Sequence, residues 1–515
     1  MLQKPKMLVF SHICSPQYVT GAEKLLLFMM RELMPYFSCT LVVPEEGTIA
    51  QQARALGIPV VYQKIPLVVS LYLALPHLMQ EIEGLQREAQ WPQLIELIQR
   101  EKPDVALVNT TVHPLPAIAA KMLGIPVVWA AMEAIRFTPH TAASAALIEH
   151  SSDLVIGISE ATLAPLRTPG LLPKSLILPP SWNPEELNSG TWPSNRITRR
   201  EQLGITEGHK LVGYISSSIF EAKGLDHFMT MALGVAERFP ESVFLIVGNP
   251  TEPDYFERCL ERARANGLMP RIRWIRFEER VETLYPAMDV VVIPSMSAEG
   301  FGMTAMEAMV FGRPVVVYGA GGLAEIAAAT GNTAYMAQTG DADGLFTRVC
   351  QLLGDPARLA AAGAHNAQAV ANVFGIGVYR QKLLAFVNAL AGRGALPPGP
   401  VKGSGDTVYR FENGILRPYR SASALLADGY TFDHVRMMAD LLIGSLPKGE
   451  PIGGLPRIRR SKLLRGRRSA RGNVKARRRK MSRRPRRAAG GRSARRGVKA
   501  GKRLKRHRTR RIRRR

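Results

Sequence analysis

From Met7 to Tyr318, short apolar runs alternate with stretches of helical periodicity, and the alternation occurs twice. The first set of runs is Met7–Ser11, Thr40–Val43, Val60–Tyr62, Val105–Asn109, Val127–Ala130 and Leu154–Ile158. Helical stretches lie between them, at Gly21–Met34, Ile49–Leu56, Leu78–Arg100 and Leu115–Leu123. The second set is Lys210–Ile215, Val243–Val247, Ile272–Ile275, Val290–Ile293 and Val315–Tyr318. These runs are continuously apolar rather than alternating with polar residues, so each predicts a strand buried on both faces. Strands of that kind separated by helices make a parallel sheet with helices on either side. Residues 179–195, with Pro179, Pro180, Pro184 and Pro193, break the pattern and predict an interdomain linker. A chain of 515 residues, 46% of them hydrophobic, can fill two such domains.

In open α/β sheets ligands sit beyond the carboxyl ends of the strands. The stretch that follows Val290–Ile293 is Glu299-Gly300-Phe301-Gly302-Met303-Thr304-Ala305-Met306-Glu307. Its glycines fall where a strand hands over to a helix beginning near Met303. Unpaired backbone N–H groups and the positive end of the helix dipole favour an anion there. A carboxylate on either side suits a ligand with phosphate at its centre and hydroxyls at both ends. Glycines and an acid at a helix start also serve as ordinary capping. The chain continues, however, through Gly312-Arg313-Pro314-Val315-Val316-Val317-Tyr318 into a second glycine-rich turn, Gly319-Ala320-Gly321-Gly322-Leu323-Ala324-Glu325.

This segment resembles the E-x7-E signature of retaining glycosyltransferases of family 4. The resemblance implies an α/β GT-B fold, in which two Rossmann-like domains face each other across a cleft. The implied domains are residues 1–182 (acceptor side) and 183–392 (nucleotide-sugar side), with a helix at Tyr379–Leu390 returning to the first. It implies transfer of a sugar from a nucleoside-diphosphate sugar, with retention, to a cell-envelope glycan, lipid or protein, without metal or cofactor. By the same resemblance Glu307 meets the ribose and Glu299 the transferred sugar. The backbone of Gly300, Phe301, Gly302 and Met303 holds sugar hydroxyls and diphosphate, and Lys223 meets the diphosphate. Gly21, in Gly21-Ala22-Glu23-Lys24, lets the backbone approach the donor phosphate or the acceptor. A fixed cation such as Lys223 would offset charge developing on the leaving phosphate.

The chain departs from the family pattern twice. Ser216-Ser217-Ser218-Ile219 stands where the family has an arginine ahead of the lysine, leaving Arg276 and Arg280 as alternative cations. Ala131-Met132-Glu133 stands where it often has a histidine. Glu133 keeps an acid there, and His113, near Asn109, is the nearest spare imidazole; these three are the expected acceptor-side residues. The departures keep a second reading open, a GT-B binding or structural protein with weakened turnover.

Beyond residue 392 the character changes. Thr407–Arg417 reads as strand, Asn-Gly turn, strand, followed by expected helices at Ser421–Asp428 and Phe432–Leu442. Residues 401–452 resemble a small repeat module of bacterial surface and wall-associated proteins, an α+β unit. Residues 457–515 carry 31 Lys and Arg and no acid, whereas the preceding 456 residues hold 38 basic and 42 acidic groups. The net charge of +27 is therefore a property of the tail. So few apolar residues cannot offset ordering entropy, and residues 456–515 are expected to be disordered. The tail contains no Phe, Tyr or Trp on which bases could stack. Counterion release on a polyanion remains, and an anionic membrane surface or envelope polymer is favoured over nucleic acid. Four scattered cysteines without a C-x-x-C pair predict neither a disulfide framework nor a zinc site. The N-terminus lacks a signal-peptide pattern, and the apolar window Ile65–Leu75 is too short to span a bilayer. A cytoplasmic protein, peripheral at the inner membrane face, is the expectation.

Overall fold

Two parallel sheets form the body of the molecule in the computed structural model, which describes residues 4–16, 19–278, 280–393 and 396–454. The first sheet contains β1 (Lys6–Phe10), β2 (Ser38–Val43), β3 (Val60–Tyr62), β4 (Val105–Asn109), β5 (Val127–Ala131), β6 (Leu154–Gly157) and β7 (Ser175–Ile177). Their order is β3-β2-β1-β4-β5-β6-β7. The second contains β8 (Lys210–Ile219), β9 (Ser242–Pro250), β10 (Ile272–Ile275), β11 (Val290–Ile293), β12 (Val315–Tyr318) and β13 (Met336–Ala337), in the order β10-β9-β8-β11-β12-β13. Strands β4, β5, β11 and β12 are buried at every residue, as their uninterrupted apolar sequences require. Each order reverses once, between β1 and β4 and between β8 and β11. A crevice opens at such a reversal, because the chain leaves the two neighbouring strands in opposite directions.

The helix Ile376–Gly392 runs back to the first lobe. Tyr379 packs edge-on against Phe28 at 5.0 Å, and Arg380 Nε lies 2.7 Å from Glu32. The stretch 179–195 holds 3-10 turns at Pro184–Leu187 and Ser189–Thr191 and the start of the helix Trp192–Gln202.

Three expectations need correction. The helix expected over Leu78–Arg100 is two, Leu78–Leu85 and Gln90–Glu101. Pro92 has no N–H to continue the earlier helix and is accommodated in the first turn of the later one. The helix expected over Phe432–Leu442 is a 3-10 turn (Phe432–His434), a strand β17 (Arg436–Met437) and a helix (Asp440–Ser445). Pairing of Arg436 and Met437 with Val401 and Lys402 overrides the local helical preference. The strand expected over Lys210–Ile215 runs on through Ser216–Ser218 to Ile219, as described below.

The small module is a four-stranded sheet, β16-β15-β14-β17, in which β14 is Gly399–Lys402, β15 Val408–Glu412 and β16 Ile415–Pro418. Asn413 and Gly414 both take positive φ (48° and 76°), the geometry an Asn-Gly hairpin turn demands. Val401, Phe411 and Met438 share one core with Tyr36 and Phe37 of the first lobe, so the module is fused to that lobe by packing. All four cysteines are buried and free. Among the described residues no helix is long and apolar enough to cross a membrane. The tail expectation, residues 456–515, lies outside the described residues.

Candidate functional site

The two crevices open onto one cavity of about 360 Å³. From the first lobe it is lined by Gly21 and Ala22 beyond β1, by Met132 and Glu133 beyond β5, and by Tyr72; from the second, by residues after β8 and β11.

Lys223 ends the 3-10 turn Glu221–Lys223. The next residue, Gly224, has φ +68°, and a Cβ there would lie 2.0 Å from the Pro294 carbonyl oxygen. This contact fixes the lysine backbone against the end of β11. Lys223 Nζ then donates to Glu299 Oε1 at 2.7 Å, and Ser295 Oγ donates to the same oxygen at 2.6 Å. The residues expected to meet diphosphate and sugar are thus paired with each other.

Gly302 precedes the helix Met303–Val310 in a left-handed conformation, φ +102°, with no side-chain cap. The first turn of that helix, Met303 and Thr304, lines the cavity. Phe301 turns its ring inward against Phe374, centroids 5.2 Å apart, so the Gly300–Met303 loop offers the cavity mainly backbone. Glu307 stands one turn further on, outside the cavity lining, where its Oε2 accepts from the Tyr285 hydroxyl at 2.7 Å. Burial raises its pKa; the nearby Lys24 and the tyrosine hydrogen bond oppose that rise.

On the facing wall Glu133 Oε2 accepts from the backbone N–H and hydroxyl of Thr111, each at 3.0 Å. Burial raises its pKa against the pull of these two bonds. Asn109 and His113 lie beneath the wall rather than on it. Asn109 is fully buried and donates to the Ala22 carbonyl at 3.3 Å. His113 is 1% exposed, and burial, with a smaller contribution from His12, lowers its pKa to about 3. It is a neutral interior imidazole. Gly21 lines the cavity with nothing within 4 Å of an added Cβ, so no protein group makes a close backbone approach there.

The alternative cations are engaged elsewhere. Arg276 Nε donates to Asn249 at 2.8 Å, and Arg280 Nε to Glu282 at 3.0 Å; neither lines the cavity. Ser216–Ser218 extend β8 through a bulge. Ile215 pairs with Val247 and Ser218 with Asn249, so Ser216 and Ser217 together oppose Gly248. The bulge brings Ser216 and Ser217 to the cavity. Among the described residues lining it, the charged ones are Lys223, Glu299 and Glu133.

Sequence reasoning missed Ser295, Tyr214, Tyr72 and Met132. The spacing Ser295-x3-Glu299, directly beyond β11, was an available signal for the first. Tyr72 comes from a five-residue helix, Val69–Leu73, inside an apolar window and carries none.

Residues 209–355 match the family model described as Glycosyl transferases group 1. The D-inositol 3-phosphate glycosyltransferase of Rhodococcus jostii (strain RHA1) is 30% identical over 181 residues, 33% of this chain and 39% of that protein. The lipopolysaccharide core biosynthesis mannosyltransferase LpsB of Rhizobium meliloti (strain 1021) is 28% identical over 187 residues, 36% of this chain and 53% of that protein. The chain spans about half or less of the length of these curated relatives. Among solved structures, Anabaena Alr3699/HepE in complex with UDP and glucose superposes with a TM-score of 0.63 at 20% identity, covering 75% of this chain and 100% of that one. WaaG, a glycosyltransferase involved in lipopolysaccharide biosynthesis, gives 0.54 at 14% identity, covering 74% and 98%. The body of the molecule has the GT-B fold, two Rossmann-like lobes facing across a cleft.

Proposed function

We propose that this chain is a retaining glycosyltransferase that takes a sugar from a nucleoside-diphosphate sugar and transfers it to a cell-envelope glycan, lipid or protein. The observation that carries the reading is the Lys223–Glu299 pair, 2.7 Å long, at the start of the Met303–Val310 helix and facing Glu133 across one cavity. The group 1 match over residues 209–355 covers this half of the site and supports it. When donor binds, Lys223 leaves Glu299 for the diphosphate, where the amides of Gly300–Met303 join it. Glu299 is then free to accept from hydroxyls of the transferred sugar, and Glu307 from those of the ribose. Departure of the nucleoside diphosphate is stabilised by a cation and backbone dipoles already in place. Glu133, oriented by Thr111, meets the acceptor hydroxyl on the same face from which the diphosphate leaves, the geometry retention requires. The new bond to the sugar carbon replaces the bond to diphosphate, and the hydroxyl proton passes to the departing diphosphate oxygen. Neither metal nor cofactor enters this scheme.

The deciding experiment is a screen of UDP-, GDP- and ADP-sugars by calorimetry and by release of nucleoside diphosphate, with the anomeric configuration of product read by NMR. Inverted product would refute retention, and donor binding insensitive to Glu307→Ala would refute the ribose assignment. A second reading, binding without efficient turnover, draws on the serines that replace the arginine and on a lysine already paired. Binding without release, across candidate acceptors, would favour it. The Lys/Arg-rich segment 457–515 is assigned to an anionic membrane surface or polyanion at the cytoplasmic face, attraction that must weaken steeply with salt.

A further inference from the structure

We propose that Glu325 and Ser159 form an interlobe latch that positions the Gly300–Met303 loop, an inference resting on the reading of that loop as donor-binding. Glu325 lies in the first turn of the helix Gly322–Ala329, directly after the second glycine-rich turn. Its carboxylate reaches the other lobe. Oε2 accepts from the backbone N–H of Glu160 at 2.9 Å and Oε1 from that of Ala161 at 2.6 Å. These amides open the short helix Glu160–Leu163 and have no intrahelical acceptor.

Ser159 precedes them and completes the arrangement. Its hydroxyl oxygen accepts from the Thr162 N–H at 3.1 Å, while its proton is donated to the Gly300 carbonyl, again across the lobes. One residue therefore caps its own helix and grips the loop. Gly300 also sits against the Met132 carbonyl oxygen, which a Cβ would approach to 2.3 Å, so the loop is seated directly on the first lobe.

The contacts close into a ring. The Glu299 carbonyl accepts from the Gly322 N–H at 2.8 Å, joining the loop to the helix that carries Glu325. From Glu325 the ring crosses to Glu160 and Ala161, passes through Ser159, and returns to Gly300. Opening the cleft breaks the two hydrogen bonds of Glu325 and the one from Ser159 together. Loop placement and lobe closure are one event, and both residues act as positioning residues with no contact to donor required.

The test uses the full chain as wild type, Glu325→Ala, Glu325→Gln and Ser159→Ala. Spin labels at Met122→Cys and Arg262→Cys, on the outer faces of the two lobes, report their separation, since the native cysteines are buried. UDP affinity is measured by calorimetry in parallel. The expected result is a longer or broader label distance in both Glu325 variants without nucleotide, and UDP binding weakened about tenfold, as for loss of charge-assisted hydrogen bonds. Ser159→Ala combined with Glu325→Ala should cost less than the two single effects together, because one closure underlies both. An unchanged label distance in both Glu325 variants overturns the latch, as does UDP affinity within twofold of wild type. Unfolding of one variant, seen by circular dichroism, leaves the other to decide. A wild-type chain that binds none of UDP, GDP or ADP refutes the donor reading, while the nucleotide-free distances still decide the latch.

Discussion

At the level of single residues the site is defined by one shared oxygen. Glu299 Oε1 accepts from both Lys223 and Ser295, so removing either end of the ion pair disturbs the other. Lys223→Ala is expected to lower the rate of transfer by roughly 10²–10³-fold, the scale for loss of a preorganised charge-stabilising donor. Glu299→Gln should leave UDP affinity near wild type, because the freed lysine remains available to diphosphate, while transfer falls; separate calorimetric and rate measurements check the split. The interior histidines set a pH dependence of stability. Burial lowers His113 to about 3 and His12 to about 4, against an ordinary value near 6.5. Between pH 6.5 and about 4 the unfolded chain binds protons that the folded chain refuses, so this stability is complete above pH 6.5 and lost as pH falls. Each imidazole contributes on the order of 3 kcal/mol over that window. Glu133 and Glu307, whose pKa values are raised chiefly by burial, act with the opposite sign as pH rises beyond the ordinary glutamate range. Melting temperatures between pH 7 and pH 4 should fall less steeply in His113→Asn than in wild type.

Individual elements show what a sequence carries and what it does not. Gly302 was legible as the hinge into a helix, and its φ of +102° explains why only glycine suits it. Gly302→Ala should cost about 1–3 kcal/mol for the strained backbone. Its Cβ would also meet Leu323 Cδ2 at 2.6 Å; a lowered melting temperature together with weaker UDP binding checks this. Strands of four or more buried apolar residues were visible because nothing else explains such runs. The three-residue β7 and the two-residue strands β13 and β17 were not, since their pairing depends on neighbours far along the chain. The same limit hid the facing wall of the cavity. Tyr72 and Met132 line the same cavity as the Glu299 loop from well over a hundred residues away in the chain, and no local pattern encodes that juxtaposition. The bulge at Ser216 and Ser217 was concealed differently. The strand was expected to stop at Ile215, but Gly248 on the neighbouring strand leaves room for the Ser216 carbonyl, 2.2 Å from where a Cβ would stand.

For the molecule as a whole, the first lobe is not made from the first part of the chain alone. Tyr36 and Phe37 are covered by Val401, Phe411 and Met438 of the small module. Deleting residues from 396 onward should therefore destabilise the first lobe, by about 1.5–3 kcal/mol for each large side chain returned to water. Deleting only residues 456–515 should leave the melting temperature of the body unchanged while abolishing salt-sensitive retention on anionic vesicles. Thermal denaturation of both truncations separates the two roles. The returning helix Ile376–Gly392 carries a further consequence, one of time rather than space. Phe28 and Glu32 emerge from the ribosome more than three hundred residues before Tyr379 and Arg380, their partners. At 5–20 residues per second that interval is on the order of half a minute. Throughout it Phe28 and Glu32 on the Gly21–Leu33 helix wait without these partners, so the lobe that starts first finishes last, and the nascent chain stays open to chaperone capture at the surface where the returning helix later docks.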